Sequence, residues 1–118
     1  MKLSEAIRLG AMNSPQIKGG YMDGEGRCAL SAACDAAGID PVTVDGRLVV
    51  DATKLEMTFP LLGKRLDQEP HPSVECVIWS LNDFDGWTRE QIADWVETIE
   101  NQQEQEQAPV AEMVAVAV

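Results

Sequence analysis

All of the net charge of this 118-residue chain, formally −11, is confined to its second half. Residues 1–65 carry eight bases and eight acids, whereas residues 66–118 set twelve acids against a single base, Arg89. That second half repels phosphate and anionic lipid and attracts a basic partner surface. An apolar fraction of 45% is ordinary for a globular domain, and 118 residues suffice for one modest core. Only six residues are aromatic, so the core is expected to rest on Ala, Val, Leu and Ile, with Trp79, Trp87 and Trp95 as its bulkiest pieces.

The clearest local signals are helical. Thr88 as N-cap and Gln91 three residues later form a capping box, with Trp87 placed to staple onto Ile92. Ile92, Trp95, Val96 and Ile99 supply the apolar stripe of that helix, and Glu90, Asp94, Glu97 and Glu100 occupy the remainder. Ser73 caps a preceding helix with Val74, Val77, Ile78 and Leu81 on one face, and residues 82–86 then form a turn. Arg27 to Ala37 reads as a small-residue helix whose Ala and Cys face admits close approach of another helix. Gly38 is placed as its left-handed C′ residue, with Ile39 folding back onto Cys34. A short first helix is expected over about residues 4–12, with Ser4 as N-cap.

Between these lie two loops and a hairpin. Four glycines in residues 19–26 indicate an irregular connector. Asp45-Gly46, flanked by Val42-Thr43-Val44 and Arg47-Leu48-Val49-Val50, gives a type I′ hairpin that is expected to lie against the helices. Residues 51–70 have no clean period, although Leu55, Phe59, Leu61 and Leu62 are expected to be partly buried.

Motifs that carry chemistry are weak. Cys28, Cys34, Cys76 and His71 are zinc-ligand types, but no CxxC is present, and positions 28 and 34 point about 240° apart on a helix. The thiols are better read as small buried hydrophobes. His71, the single histidine, stands between two prolines with no adjacent nucleophile. Asp83-Phe84-Asp85-Gly86 resembles part of a calcium loop, yet Leu81 and Ile92 fall where ligands belong. The glycine-rich loop lacks a Gly-Lys-Ser/Thr and carries Asp23 and Glu25, which repel phosphate. Catalytic, cofactor and metal sites are therefore not expected. Glu90, Asp94, Glu97, Glu100 and Glu104, spaced by three and four, form one row on the final helix that could imitate a phosphate array.

The stretch Leu81-Asn82-Asp83-Phe84-Asp85-Gly86-Trp87-Thr88-Arg89-Glu90-Gln91-Ile92-Ala93-Asp94-Trp95-Val96-Glu97 resembles a signature of small uncharacterised proteins encoded by phages and prophages. The opening Leu3 to Gly10 and the helix start Cys28-Ala29-Leu30 are similar to theirs as well, so that the resemblance spans roughly a third of the chain. It implies a phage or prophage origin and no known activity. Relatives often carry His before Leu-Asn-Asp, where this chain has Ser80.

The expectation is a mainly α, small single domain of four to five short helices with one β-hairpin. Residues 1–100 form the globular part, 101–107 a polar linker or helix extension, and 108–118 an apolar C-terminal tail. The core should form from the 27–37 helix and the helices around Trp79 and Trp95. The odd cysteine count and the lack of a long apolar run suggest a soluble, cytosolic protein with reduced thiols, and the resemblance implies the host-cell cytoplasm or the virion. The expected function is non-enzymatic, that of a phage-type accessory or structural protein whose partner is another protein or a second copy. It would bind through Glu90, Asp94, Glu97 and Glu100 and the tail residues Val110, Val114 and Val116, without direct nucleic-acid binding. The alternative is an acidic nucleic-acid mimic that inhibits a host defence enzyme.

Overall fold

A computed structural model describes residues 1–66 and 73–106. His71 and the tail with Val110, Val114 and Val116 lie outside the described residues. Among the described residues the chain is mainly helical. It runs α1 (Leu3–Ala11), β1 (Met22–Asp23), β2 (Gly26–Arg27), α2 (Ala29–Ala37), β3 (Val42–Val44), β4 (Arg47–Val49), α3 (Ala52–Thr58), a 3₁₀ turn (Pro60–Gly63), α4 (Val74–Asp83) and α5 (Arg89–Glu106).

Helix α1 is the piece around which the others are laid. Leu3, Ala6, Ile7 and Gly10 recur at helical spacing and are buried. The helix begins one residue earlier than the sequence suggests: Lys2 holds the extended N-cap backbone, and Ser4 sits inside the first turn. One side of α1 meets α2 with Gly10 against Ala32, a small residue outside the Leu30, Ala33, Cys34 and Ala37 face expected to admit a neighbouring helix. A Cβ built on Gly10 would lie 2.8 Å from the Cα of Ala32 and closer still to its carbonyl, so the two backbones touch where any side chain would separate them. The core forms, as expected, from α2 and the helices that carry Trp79 and Trp95, and α1 joins them as a fourth member packed against α2 and α5.

The local capping signals translate directly. Gly38 closes α2 in the left-handed conformation (φ 73°), and Ile39 N–H donates back to the Cys34 carbonyl at 2.9 Å, burying Ile39. Ser73 Oγ accepts from Cys76 N–H at 3.2 Å at the start of α4. At α5, Thr88 N–H donates to Gln91 Oε1 (2.9 Å) and Gln91 N–H donates to Thr88 Oγ1 (3.1 Å), a complete reciprocal box. The polar run after residue 100 prolongs α5 to Glu106. In the ambiguous stretch, Asp51 caps α3 by accepting from Lys54 N–H, and Pro60 opens the 3₁₀ turn. Leu55, Phe59, Leu61 and Leu62 are all buried.

Three expectations are corrected. The glycine-rich loop contains a second small hairpin, β1–β2, paired Met22 with Arg27 and Asp23 with Gly26. Hairpin β3–β4 forms in the expected register, with Asp45 and Gly46 both at positive φ, but it does not lie against the helices. Val42, Val44 and Leu48 are exposed. Buried Ile39 and Val50 anchor the chain on either side of the hairpin and leave the ribbon projecting. The tryptophans are not the centre of the core. Leu3, Ile7, Leu30, Leu55, Leu62, Ile78 and Ile92 fill the fully buried positions. Trp87 and Trp95 pack only partly buried at its margin, and Trp79 remains 46% exposed. Trp79 follows Ile78 on α4 and therefore points about 100° away from the buried stripe.

Replacing Gly10 with Ala tests the α1–α2 contact. The gain in helix propensity is smaller than the cost of separating two backbones, so a net loss of roughly 1–3 kcal/mol is expected in urea unfolding. Gly20→Ala, at a position with open space around it, should stay within about 0.5 kcal/mol.

Candidate functional site

The carboxylate row on α5 does lie along one side of the helix, and that side faces α1. Pairings run in opposite directions along the two helices, Arg8 with Glu90, Asp94 and Glu97, Ser4 with Glu100, and Lys2 with Glu104, which makes α1 and α5 antiparallel neighbours. Arg8 Nη2 reaches Asp94 Oδ1 at 2.7 Å and Glu97 Oε2 at 3.3 Å, while Nε reaches Glu90 Oε1 at 3.3 Å. These hydrogen bonds, to Asp94 first, push the Arg8 pKa upward.

Glu100 departs from the expectation of an outward-facing partner residue. It is buried, and its carboxylate accepts from Ser4 N–H (3.3 Å) and Ser4 Oγ–H (2.5 Å), which fixes the register of α1. Ser4 does not cap α1 as its position suggests; its hydroxyl is committed to this distant acid. The rest of the row stays largely in water, with side-chain exposures of 65% for Glu90 and Asp94, 49% for Glu97 and 61% for Glu104. Five carboxylates face two cations, Arg8 and Lys2, so the seam keeps a formal surplus of three negative charges.

Two interior polar groups were not legible in the sequence. Asn82, placed in a turn by its neighbours' composition, lies buried in the last turn of α4. Its Oδ1 accepts from Gln16 Nε2 (2.9 Å) and Ala29 N–H (3.3 Å). Its Nδ2 donates to the Ile17 carbonyl and to Asp83 Oδ1, both at 2.8 Å. Asp83 also accepts from Gly19 N–H at 3.0 Å, so the turn-forming acid ties down the glycine-rich loop. Arg89, the single base of the acidic half, is turned inward. Its guanidinium donates to the carbonyls of Ser14 (2.5 Å), Ala11 (3.3 Å) and Arg27 (3.4 Å) and to Ser14 Oγ (3.1 Å). Burial lowers its pKa, but a guanidinium remains charged. This inward turn removes the segment's own cation from the acidic surface.

The thiols behave as buried apolar groups where they are enclosed. Burial pushes the Cys34 thiol up to about 12 and raises Cys28, whose sulfur caps α2 by accepting from Ser31 N–H. A raised pKa disfavours the nucleophilic thiolate. Cys76 is half-buried. Among the described residues, no three His, Cys, Asp or Glu side chains converge with metal-binding geometry. No helix among them is long and apolar enough to cross a membrane.

One pair of acids is held close. Glu75 on α4 is half-buried, and burial first, then a hydrogen bond and charge repulsion with Glu56 of α3, raise its pKa. The folded state therefore holds this proton more tightly than the unfolded chain. The unfavourable contribution is fully present above the folded pKa and disappears as pH falls below the unfolded carboxyl value of about 4.3.

The surface beside the acidic seam is aromatic. Trp87, Gln91, Asp94, Trp95 and Thr98 line a shallow groove of about 370 Å³ on α5 and the turn before it. Exposed Trp79 of α4 and Phe84, the residue after its end, pack edge to face with ring centroids 5.1 Å apart.

Two substitutions probe these contacts. Ser4→Ala leaves the buried Glu100 carboxylate short of a donor and should cost about 1–3 kcal/mol in urea unfolding, while Glu97→Gln at the exposed seam should stay within about 0.5 kcal/mol. Glu75→Gln should raise stability at pH 7 and lose that advantage as pH approaches 4; an advantage that persisted or grew at pH 4 would contradict the sign derived for this pair. No family model, curated protein or solved structure matches this chain.

Proposed function

We propose that this protein is a non-enzymatic accessory or structural protein of phage type that acts by docking a basic protein surface onto the exposed side of α5. The observation that carries the reading is the surplus of carboxylate on a rigid 18-residue helix, with Glu90, Asp94 and Glu97 sharing one guanidinium. Each of these pairs is solvated and adds little to stability. Their summed field steers a cationic partner and falls with ionic strength. The apolar tail supplies a second contact surface, suited by its alternating valines to adding a strand to a sheet edge of a partner or a second copy.

The alternative, charge mimicry of nucleic acid, is less well supported by the geometry. Burial of Glu100 against Ser4 interrupts the row, and Arg8 sits among its first three members, so the spacing of free negative charge is no longer that of a backbone.

Affinity capture from host lysate separates these readings. A virion or host protein with a basic surface, lost at high salt and lost on combined Glu90→Gln, Asp94→Asn and Glu97→Gln substitution, is the expected result. It should be retained by a chain ending at Gln107. Partners insensitive to salt and lost with the tail would make the tail the functional surface, and displacement of the partner by DNA or RNA would establish mimicry.

A further inference from the structure

The groove beside the acidic seam has the composition of a receptor for one kind of side chain. Trp87 enters from the turn before α5, and Gln91, Trp95 and Thr98 follow at spacings of four and three along one strip of the helix. Both indoles rest partly buried against the core, so their positions are fixed by packing before anything binds. The groove is therefore preformed, which reduces the ordering cost of binding.

Its electrostatics are one-sided. Asp94 lines the groove and belongs to the carboxylate seam, where three acids share one guanidinium and leave a formal charge of −2. The π faces of tryptophan add negative potential, since the ring quadrupole attracts cations. An anionic occupant is repelled by Asp94, and a neutral polar one gains hydrogen bonds at most, from Gln91 and Thr98, and nothing from the charge. A planar guanidinium gains twice, by stacking on an indole and by donating to the carboxylate, whereas an ammonium lacks the stacking.

We propose that the Trp87–Trp95 groove binds an arginine side chain projecting from the basic partner, and so serves as the specific anchor of the docking face. The inference rests on the reading that α5 docks a cationic protein surface. It adds the residues that choose arginine over other positive charge.

The test uses the full chain at physiological salt and three short peptides, alternating glycine with arginine, lysine or citrulline. The chain has three tryptophans, so three indole N–H signals can be assigned by single Trp→Phe variants and followed by NMR. The arginine peptide should shift the Trp87 and Trp95 indole signals saturably and leave Trp79 in place. Lysine should bind several-fold more weakly, and citrulline should not bind. Asp94→Asn, which keeps the side chain's shape, should weaken the arginine peptide about tenfold. Equal shifts with citrulline, or shifts centred on Trp79, would overturn the proposal. Shifts of the Glu90–Glu97 backbone amides without movement of the two indoles would overturn the groove and leave the acidic docking face standing. No shift anywhere would overturn both.

Discussion

The fold depends on one helix being gripped from two sides by different physics. On one side α1 meets α2 so closely that Gly10 lies on the backbone of Ala32, a contact that is short-ranged and tolerates no added atom. On the other side α1 meets α5 along a ladder of charge, with one buried rung, Ser4 to Glu100, between exposed ones at Arg8 and Lys2. Packing supplies most of the energy, because solvated ion pairs contribute little. The buried rung contributes specificity. A slip of α1 along α5 would strand the Glu100 carboxylate without its donors, and burying an unsatisfied charge is costly.

The polar interior performs the same service for the loops. Asn82 joins the end of α4 to the connector at Gln16–Ile17 and to the start of α2, and Arg89 closes the same connector from the first turn of α5. Each satisfies backbone groups that an irregular segment cannot pair for itself. A loop with four glycines in eight residues has much conformational entropy to lose; Asn82 and Arg89 hold the segments on either side of it, Asp83 accepts from Gly19 N–H at its start, and Tyr21 and Met22 pack against the core. Gln16 and Asp83 complete the set, leaving no buried side-chain polar atom unpartnered among the described residues.

These commitments shape the surface that stays exposed. Arg89 is turned inward, and Arg8 and Lys2 are spread among five carboxylates, so the α5 seam stays negative even after every internal pairing is made. The aromatic groove opens beside that surplus, where Trp87 and Trp95 pack only partly buried next to the buried Ile92, Val96 and Ile99. The projecting hairpin with exposed Val42, Val44 and Leu48 is a second, chemically different surface, an apolar two-stranded ribbon. Enclosure of Cys28 and Cys34 raises both thiols and disfavours their thiolate forms.

What could be read from the sequence is what depends on a few consecutive residues. The capping box at Thr88 and Gln91, the left-handed Gly38, the Asp45-Gly46 turn and the buried stripe of α4 are local solutions to backbone geometry and hydrogen bonding, and they form as their residue types require. The one-sided spacing of the α5 carboxylates was equally legible, since helical periodicity alone places them in a row. Their surroundings were not. That the row meets α1, that Ser4 serves Glu100 and not its own helix terminus, that Asn82 and Arg89 go inside, and that Trp79 stays out are matters of long-range juxtaposition. Each joins or separates residues far apart in the chain. No local pattern encodes which distant donor will satisfy a buried acceptor; only the packing of α1 between α2 and α5 brings those atoms within hydrogen-bonding distance.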